Sequence, residues 1–345
     1  MAFSIAFNNT NPEVFAADLS YLRVTDVPND TTLVEVELKE NTTSIFKVSL
    51  YAYSGTITVN RLFDIVKAYM EENSKYTFSL TATASYTSSG TTTSVSCSAT
   101  VYRCDLRFTN SSVGCATFLA NNFLTLNKSR IIKRSEGLTL YYYAPPITPL
   151  VVHKTTIYTD GTQSTSTSSV TPGLGVNTLT VTLPTHSTKT PAEYIVSVGN
   201  RKAIFYITDD SVLTIGYTNL FGRADKLYLR ASVETSLERE FEVATLEDNQ
   251  TIFDLQKKSS IVMNVSALSK TETRSLNELI ALGRLTYNSQ EYLITDHSWK
   301  VNDLPGGSDE CTLTLEPVDT DYTLDTDSAS GSTRIFSDQF TDVYA

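Results

Sequence analysis

The sequence has little of what enzyme chemistry usually draws on: three histidines, four cysteines, one tryptophan and 14 glycines in 345 residues. His153, His186 and His297 each stand without another His or Cys at ligand spacing, so neither a metal centre nor a histidine-based catalytic site is expected. Cys97, Cys104, Cys115 and Cys311 form no C-x-x-C pair and read as buried free thiols of a protein made in a reducing compartment. Bridging Cys97 to Cys104 across a strand pair would need a Cβ separation of about 4 Å, which a sequence alone does not supply. Nothing matches G-x-S-x-G, G-x-x-x-x-G-K-[ST] or G-x-G-x-x-G, and Gly173-Leu174-Gly175 between Ser/Thr-rich stretches reads as a turn. The 38 acidic residues offer many carboxylate pairs, for instance among Asp209, Asp210, Asp296 and Asp303. Without a cleft holding two of them about 5 to 9 Å apart, such a choice is arbitrary. No catalytic, cofactor-binding or metal-binding residue is therefore assigned, and no cofactor is expected.

Other absences narrow the partners. No apolar run approaches the roughly 18 to 20 residues that cross a bilayer, which sets a membrane aside. Lys and Arg number 27 against 38 Asp and Glu, a net charge of −11, which argues against nucleic acid as a main ligand. The start, Met1 to Thr10, has no basic region and no long apolar core, so no secretory signal is expected there. Asp319-Thr320-Asp321 and Asp325-Thr326-Asp327 lack the turn Gly and the twelfth-position Glu of a calcium loop and read as a solvated tail.

What is abundant is Ser and Thr, 89 residues together, beside 41% apolar residues. That composition suits pleated backbone and polar turns, and the length allows two or three cores. The expected fold is mainly β, with two or three sandwich-like domains, an amphipathic helix in the first and a capped helix in the last.

From Leu33 to Val59 apolar and polar residues alternate around the break Glu40-Asn41-Thr42-Thr43, which predicts a half-buried antiparallel hairpin. Asn60 is a candidate N-cap, and Leu62, Ile65, Val66, Tyr69 and Met70 recur at helical spacing, so a helix is expected near 61–72. Two further strands follow, joined by Ser88-Ser89-Gly90. This N-terminal domain is placed at 1–143. The proline cluster Ala144-Pro145-Pro146-Ile147-Thr148-Pro149 reads as a linker into a Ser/Thr-rich β segment, 144–218. A C-terminal β domain, 219–318, holds the clearest local signal: Ser269-Lys270-Thr271-Glu272 as a capping box, then Leu276, Leu279, Ile280 and Leu282, with Gly283 as the stop. That predicts a helix near 270–282. Residues 319–345 carry six Asp and one Arg, and form an acidic extended tail expected to order only against a partner.

Among the 19 tyrosines, Tyr141-Tyr142-Tyr143 is the sharpest candidate for a sugar-stacking platform or an interface, and Trp299 is a second. Alternate residues of a strand face opposite sides, so at least one of the three tyrosines belongs to a core or a sheet face.

Two stretches carry a likeness to a known family. One is the strand-to-helix unit from Gly55 through Asn60 to Tyr69. The other is Thr218-Asn219-Leu220-Phe221-Gly222, followed by a sandwich, a capped helix and Gln290-Glu291-Tyr292-Leu293-Ile294-Thr295-Asp296 before a last strand ending in Glu316. In these the chain resembles virion proteins of tailed phages of Bacteroidetes-type hosts, in particular distal-tail or tail-tip ring proteins. The resemblance implies a β-sandwich with an extension that closes into a ring around the tail axis, contacts other tail proteins, and is assembled into the virion in the host cytoplasm. The Ser/Thr-rich middle segment and the acidic tail depart from that pattern. The expected function is a non-enzymatic structural subunit of a tail or tail tip, partnered by copies of itself. The alternative is a carbohydrate-binding or adhesin module for host surface glycans, and a glycan hydrolase ranks third.

Overall fold

The computed structural model describes residues 3–318 apart from 30–31, 107–113, 135, 145–147, 209–211, 247–248 and 303–307, and for 237–259 and 271 it describes the backbone alone. Pro145, Pro146 and Ile147 of the expected linker and the acidic tail from Asp319 lie outside the described residues, as do Asp209, Asp210 and Asp303. The fold is mainly β, in several sheets with three α-helices among the described residues.

Leu33–Glu40 and Thr43–Tyr51 form the expected hairpin, with Val34, Val36 and Leu38 fully buried and the residues between them turned outward. They end a five-stranded sheet ordered Glu13–Phe15, Thr91–Tyr102, Thr77–Ser88, Leu33–Glu40, Thr43–Tyr51. A three-stranded sheet of Ser4–Phe7, Tyr21–Thr25 and Ile57–Asn60 packs into the same core, closed by Leu62, Val66 and Met70 of helix α1, Leu62–Glu72. Asn60 does not cap that helix. It is the last residue of its strand, paired with Tyr21, and Arg61 takes the N-cap position at φ 58° while the Leu62 N–H donates to Ser20 O at 3.2 Å. The strand ladder supplies the acceptor that a cap side chain would have provided.

The second core begins before the proline cluster. Ser129–Lys133 pairs in parallel with Arg201–Thr208 in a five-stranded sheet, and Leu138–Tyr143 pairs with Val176–Val181. Both strands, read from sequence as part of 1–143, contribute to a core with Phe205, Val196 and Val198. Strand pairing across 33 to 75 residues decides this, and a local loss of ladder donors at prolines does not reveal it.

A seven-stranded sheet forms the third unit, ordered Ala224–Leu229, Leu213–Thr218, Arg284–Tyr287, Gln290–Lys300, Asp309–Pro317, Asn249–Leu268, Ala231–Leu246. Leu213–Thr218, assigned from sequence to the middle segment, is one of its strands. Helix α2, Cys115–Asn121, went unanticipated: seven residues with no side-chain cap leave no periodic signal. Helix α3, Lys270–Leu282, is built as the sequence dictates. Ser269 Oγ accepts the Glu272 N–H at 3.3 Å, Glu272 Oε2 accepts the Ser269 N–H at 2.7 Å, and Gly283 closes the helix at φ 73°. All four cysteines are free thiols, and burial pushes the Cys97 and Cys311 thiols up to about 11.

Candidate functional site: an open ribbon and a closed junction

Two regions of the molecule depart from ordinary sandwich packing. The first is the hairpin Ala231–Leu246/Asn249–Leu268. Ile261 to Leu268 pair on their other side with Leu315 to Asp309, so the base of the hairpin is part of the sheet. Beyond Ser236 and Ser260 the two arms pair only with each other among the described residues. At about 3.3 Å per residue this leaves a two-stranded ribbon reaching roughly 36 Å past the third strand. In the outgoing arm Leu237, Arg239, Phe241 and Val243 alternate with Glu238, Glu240 and Glu242. The register sets Phe241 opposite Leu255 and Val243 opposite Ile252, with a bulge between Glu242 and Val243. An isolated two-stranded ribbon is marginal in water, and each arm carries a row of backbone donors and acceptors without a neighbouring strand.

The second region is a junction where the three units meet, organised by the loop Asn219-Leu220-Phe221-Gly222. Phe221 stacks on Phe118 of α2 at 5.4 Å between ring centroids and tilts against Phe15 at 6.0 Å, in a cluster with Tyr102, Cys104, Cys115 and Leu124. Leu220 O accepts the Asp105 N–H at 2.7 Å, and the Leu220 N–H donates to Glu278 Oε1 of α3 at 3.1 Å. Asn219 folds the loop: its Oδ1 accepts the Phe221 and Arg223 N–H groups, and its Nδ2 donates to Leu124 O at 2.9 Å. Gly222 suits its place because φ is 71°, and a Cβ there would lie 2.5 Å from Arg103 Nε and push that side chain aside.

Charges in this junction are buried and paired or capped. Arg130 and Asp225, whose side chains are 2% and 4% exposed, form an ion pair, and Thr125 Oγ1 donates to Asp225 at 3.0 Å. Arg201 has no acid partner among the described residues; it donates to Leu119 O near the end of α2 at 2.6 and 3.1 Å and to Tyr143 O at 2.5 Å, and burial lowers its pKa. Arg223 lies 3.3 Å from the centre of the Tyr76 ring and 5.3 Å from that of Tyr141. Burial pushes the Glu278 carboxyl up to about 7, against the opposing pull of the Leu220 N–H; its Oε2 is buried with no hydrogen-bond partner among the described residues. Two clefts of about 540 Å³ each flank the junction and share Tyr217, Thr218 and Thr286; Glu278 is in the lining of neither.

Tyr141, Tyr142 and Tyr143 do not share one exposed aromatic face, as a stacking platform requires. Tyr142 is fully buried in the second core beneath Arg201 and beside Phe123, because strand alternation turns it inward. Tyr141 and Tyr143 point to the opposite side, half-buried against the junction, Tyr143 edge-on to Tyr102 at 4.8 Å. Trp299, opposite Cys311, is half-buried against the third core. Among the described residues no three His, Cys, Asp or Glu side chains gather in a way that would hold a metal ion. Sequence reading missed Asn219, Arg130, Asp225 and Glu278. The one available signal was Glu278 beside Leu279 on the apolar face of α3, a charge where the period calls for a hydrophobe.

No protein-family model matches the sequence, and no curated protein matches it either.

Proposed function

We propose that the chain is a non-enzymatic structural subunit of a bacteriophage tail or tail tip, one that joins copies of itself into a symmetric ring and links the tail tube to host-facing proteins. The observation that carries this reading is the open ribbon 236–260. It is too long to be stabilised by its own sheet, and its apolar period and bare edges suit a neighbouring subunit. A ribbon from one copy docking on a different surface of the next is a heterologous contact, which closes into a ring when the rotation permits. Each subunit then makes two such contacts, so a modest area per contact suffices. The junction serves the same end by holding three units as one body against load. The assignment to a phage tail, and with it a virion location, rests on the resemblance of the strand-to-helix unit and of the loop at 218–222 to tail-ring proteins.

Light scattering and negative-stain imaging of the purified full chain test the reading. The expected result is a closed particle with a mass at a multiple of 38.1 kDa, six or twelve copies being the expected ring sizes, lost when 236–260 is replaced by a two-residue turn. A monodisperse monomer at high concentration, absent from virions by mass spectrometry, would overturn it. Recognition of host surface glycans, the alternative reading, is favoured by a different surface, the outer face of the first five-stranded sheet.

A further inference from the structure

The most exposed large aromatic residue of the described chain is not in the tyrosine run. Tyr53 is 85% exposed and Tyr51 64%, and Leu33, directly opposite Tyr51 in the strand register, is 49% exposed. These are three of the eight exposed large hydrophobic residues among the described residues, gathered at one corner of the sheet whose edge strand is Thr43–Tyr51. Leu33 also forms part of the wall of a groove of about 640 Å³ on that outer face. The rest of the groove is hydroxyl and amide: Asn29, Thr32, Ser49, Ser85 and Thr92 contribute, with Tyr86 as its aromatic wall. Tyr86 is held edge-on against Phe3 at 4.9 Å, so its orientation is set by the fold. The one charged group in the lining, Glu35, is paired with Lys47 at 2.8 Å.

We propose that this groove binds a neutral oligosaccharide. Sugars present both apolar C–H faces and hydroxyl edges, and the surface offers both complements side by side. Tyr51 and Tyr53 stand at the rim and do not line the groove, but Tyr51 is opposite the lining residue Leu33 and two residues beyond Ser49 on the same strand, so an exposed ring for a pyranose face adjoins the short Ser, Thr and Asn side chains that exchange hydrogen bonds. The charge pattern selects an uncharged ligand. Glu35 and Glu37 are each paired, with Lys47 at 2.8 Å and Lys39 at 2.7 Å, so neither an acidic nor a cationic polymer finds an unpaired partner in these acids. The proposal stands independently of ring formation, since a single copy carries the whole groove.

Affinity electrophoresis and titration calorimetry of the full chain against cellohexaose, xylohexaose, mannohexaose and maltohexaose test it. At least one of these neutral hexasaccharides binds, and Tyr51→Ala and Tyr53→Ala each weaken binding about tenfold. Tyr53→Phe retains affinity because the ring, not the hydroxyl, makes the stack. Tyr206→Ala, a control on another sheet where the side chain is 48% exposed, leaves binding unchanged. Failure of all four sugars to bind overturns the proposal, and so does binding that survives the double Tyr51→Ala/Tyr53→Ala variant. A change of molar mass in that double variant without a change in sugar affinity reassigns the corner to contact between copies and also overturns it.

Discussion

The ribbon and the junction are opposite solutions to the same problem of polar backbone. In the junction, each backbone N–H of the 219–222 loop finds an acceptor within the chain, at Arg223 O, Glu278 Oε1, Asn219 Oδ1 and Asn219 O, and Leu220 O accepts the Asp105 N–H. In the ribbon, the outer edges of two arms have no third strand among the described residues. One region is completed by the fold itself and the other is left to be completed from outside. On the proposed reading, cohesion within a copy and cohesion between copies fall to separate stretches of sequence, and the two can be perturbed separately.

Removing the ribbon is the strongest test of that separation. Replacing 236–260 by a tight turn is expected to abolish assembly altogether while leaving the melting temperature of the monomer nearly unchanged, because beyond Ser236 and Ser260 the arms pair only with each other among the described residues. A variant that unfolds would show that the ribbon also sustains its own sheet. Next in size, Arg130→Ala strands Asp225 in the junction and is expected to cost about 3–5 kcal/mol by denaturant unfolding. An Arg130→Met/Asp225→Leu double variant, which removes both charges, is expected to recover most of that loss.

Glu278 gives a third test, through pH. Its folded pKa, about 7, lies above the ordinary value of 4.5, so its contribution to stability is complete below pH 4.5 and is lost as pH rises through 7. Wild-type protein is therefore expected to lose on the order of 3 kcal/mol from this group between pH 5 and pH 9, and Glu278→Gln, which keeps an acceptor for Leu220, to flatten that slope. An unchanged slope in the variant would show that the carboxylate is solvated. Smallest of all, Ser269→Ala removes the α3 cap and is expected to cost about 1 kcal/mol by thermal melting, with no effect on assembly.

Legibility followed the range of the forces. The capping box at Ser269, the stop at Gly283 and the alternation of Val34, Val36 and Leu38 are contacts within a few residues, so the sequence displays them directly. The expected limit after Tyr143 could not reveal that Leu138–Tyr143 finds its partner at Val176–Val181, because pairing is chosen by surfaces far apart in the chain. The length of the ribbon was hidden for a related reason: Glu, Lys and Gln dilute the β signal where no core face demands it. At the junction, Asn219, Asp225 and Arg130 look like ordinary surface residues until the fold brings them together from 89 to 95 positions apart. The exposed corner at Tyr51 and Tyr53 was hidden in the same way, since a strand's sequence does not say whether it ends a sheet.

The stacking of Phe221 on Phe118 also sets a timetable for synthesis. The aromatic plug is translated roughly a hundred residues after the socket that receives it, and at about 5–20 residues per second the ribosome leaves that socket open for on the order of 5–20 s. During that interval Phe15, Tyr102 and Leu119 face water or a chaperone, so the nascent chain is most vulnerable to misassociation before residue 221 emerges, and safest once the loop has snapped home.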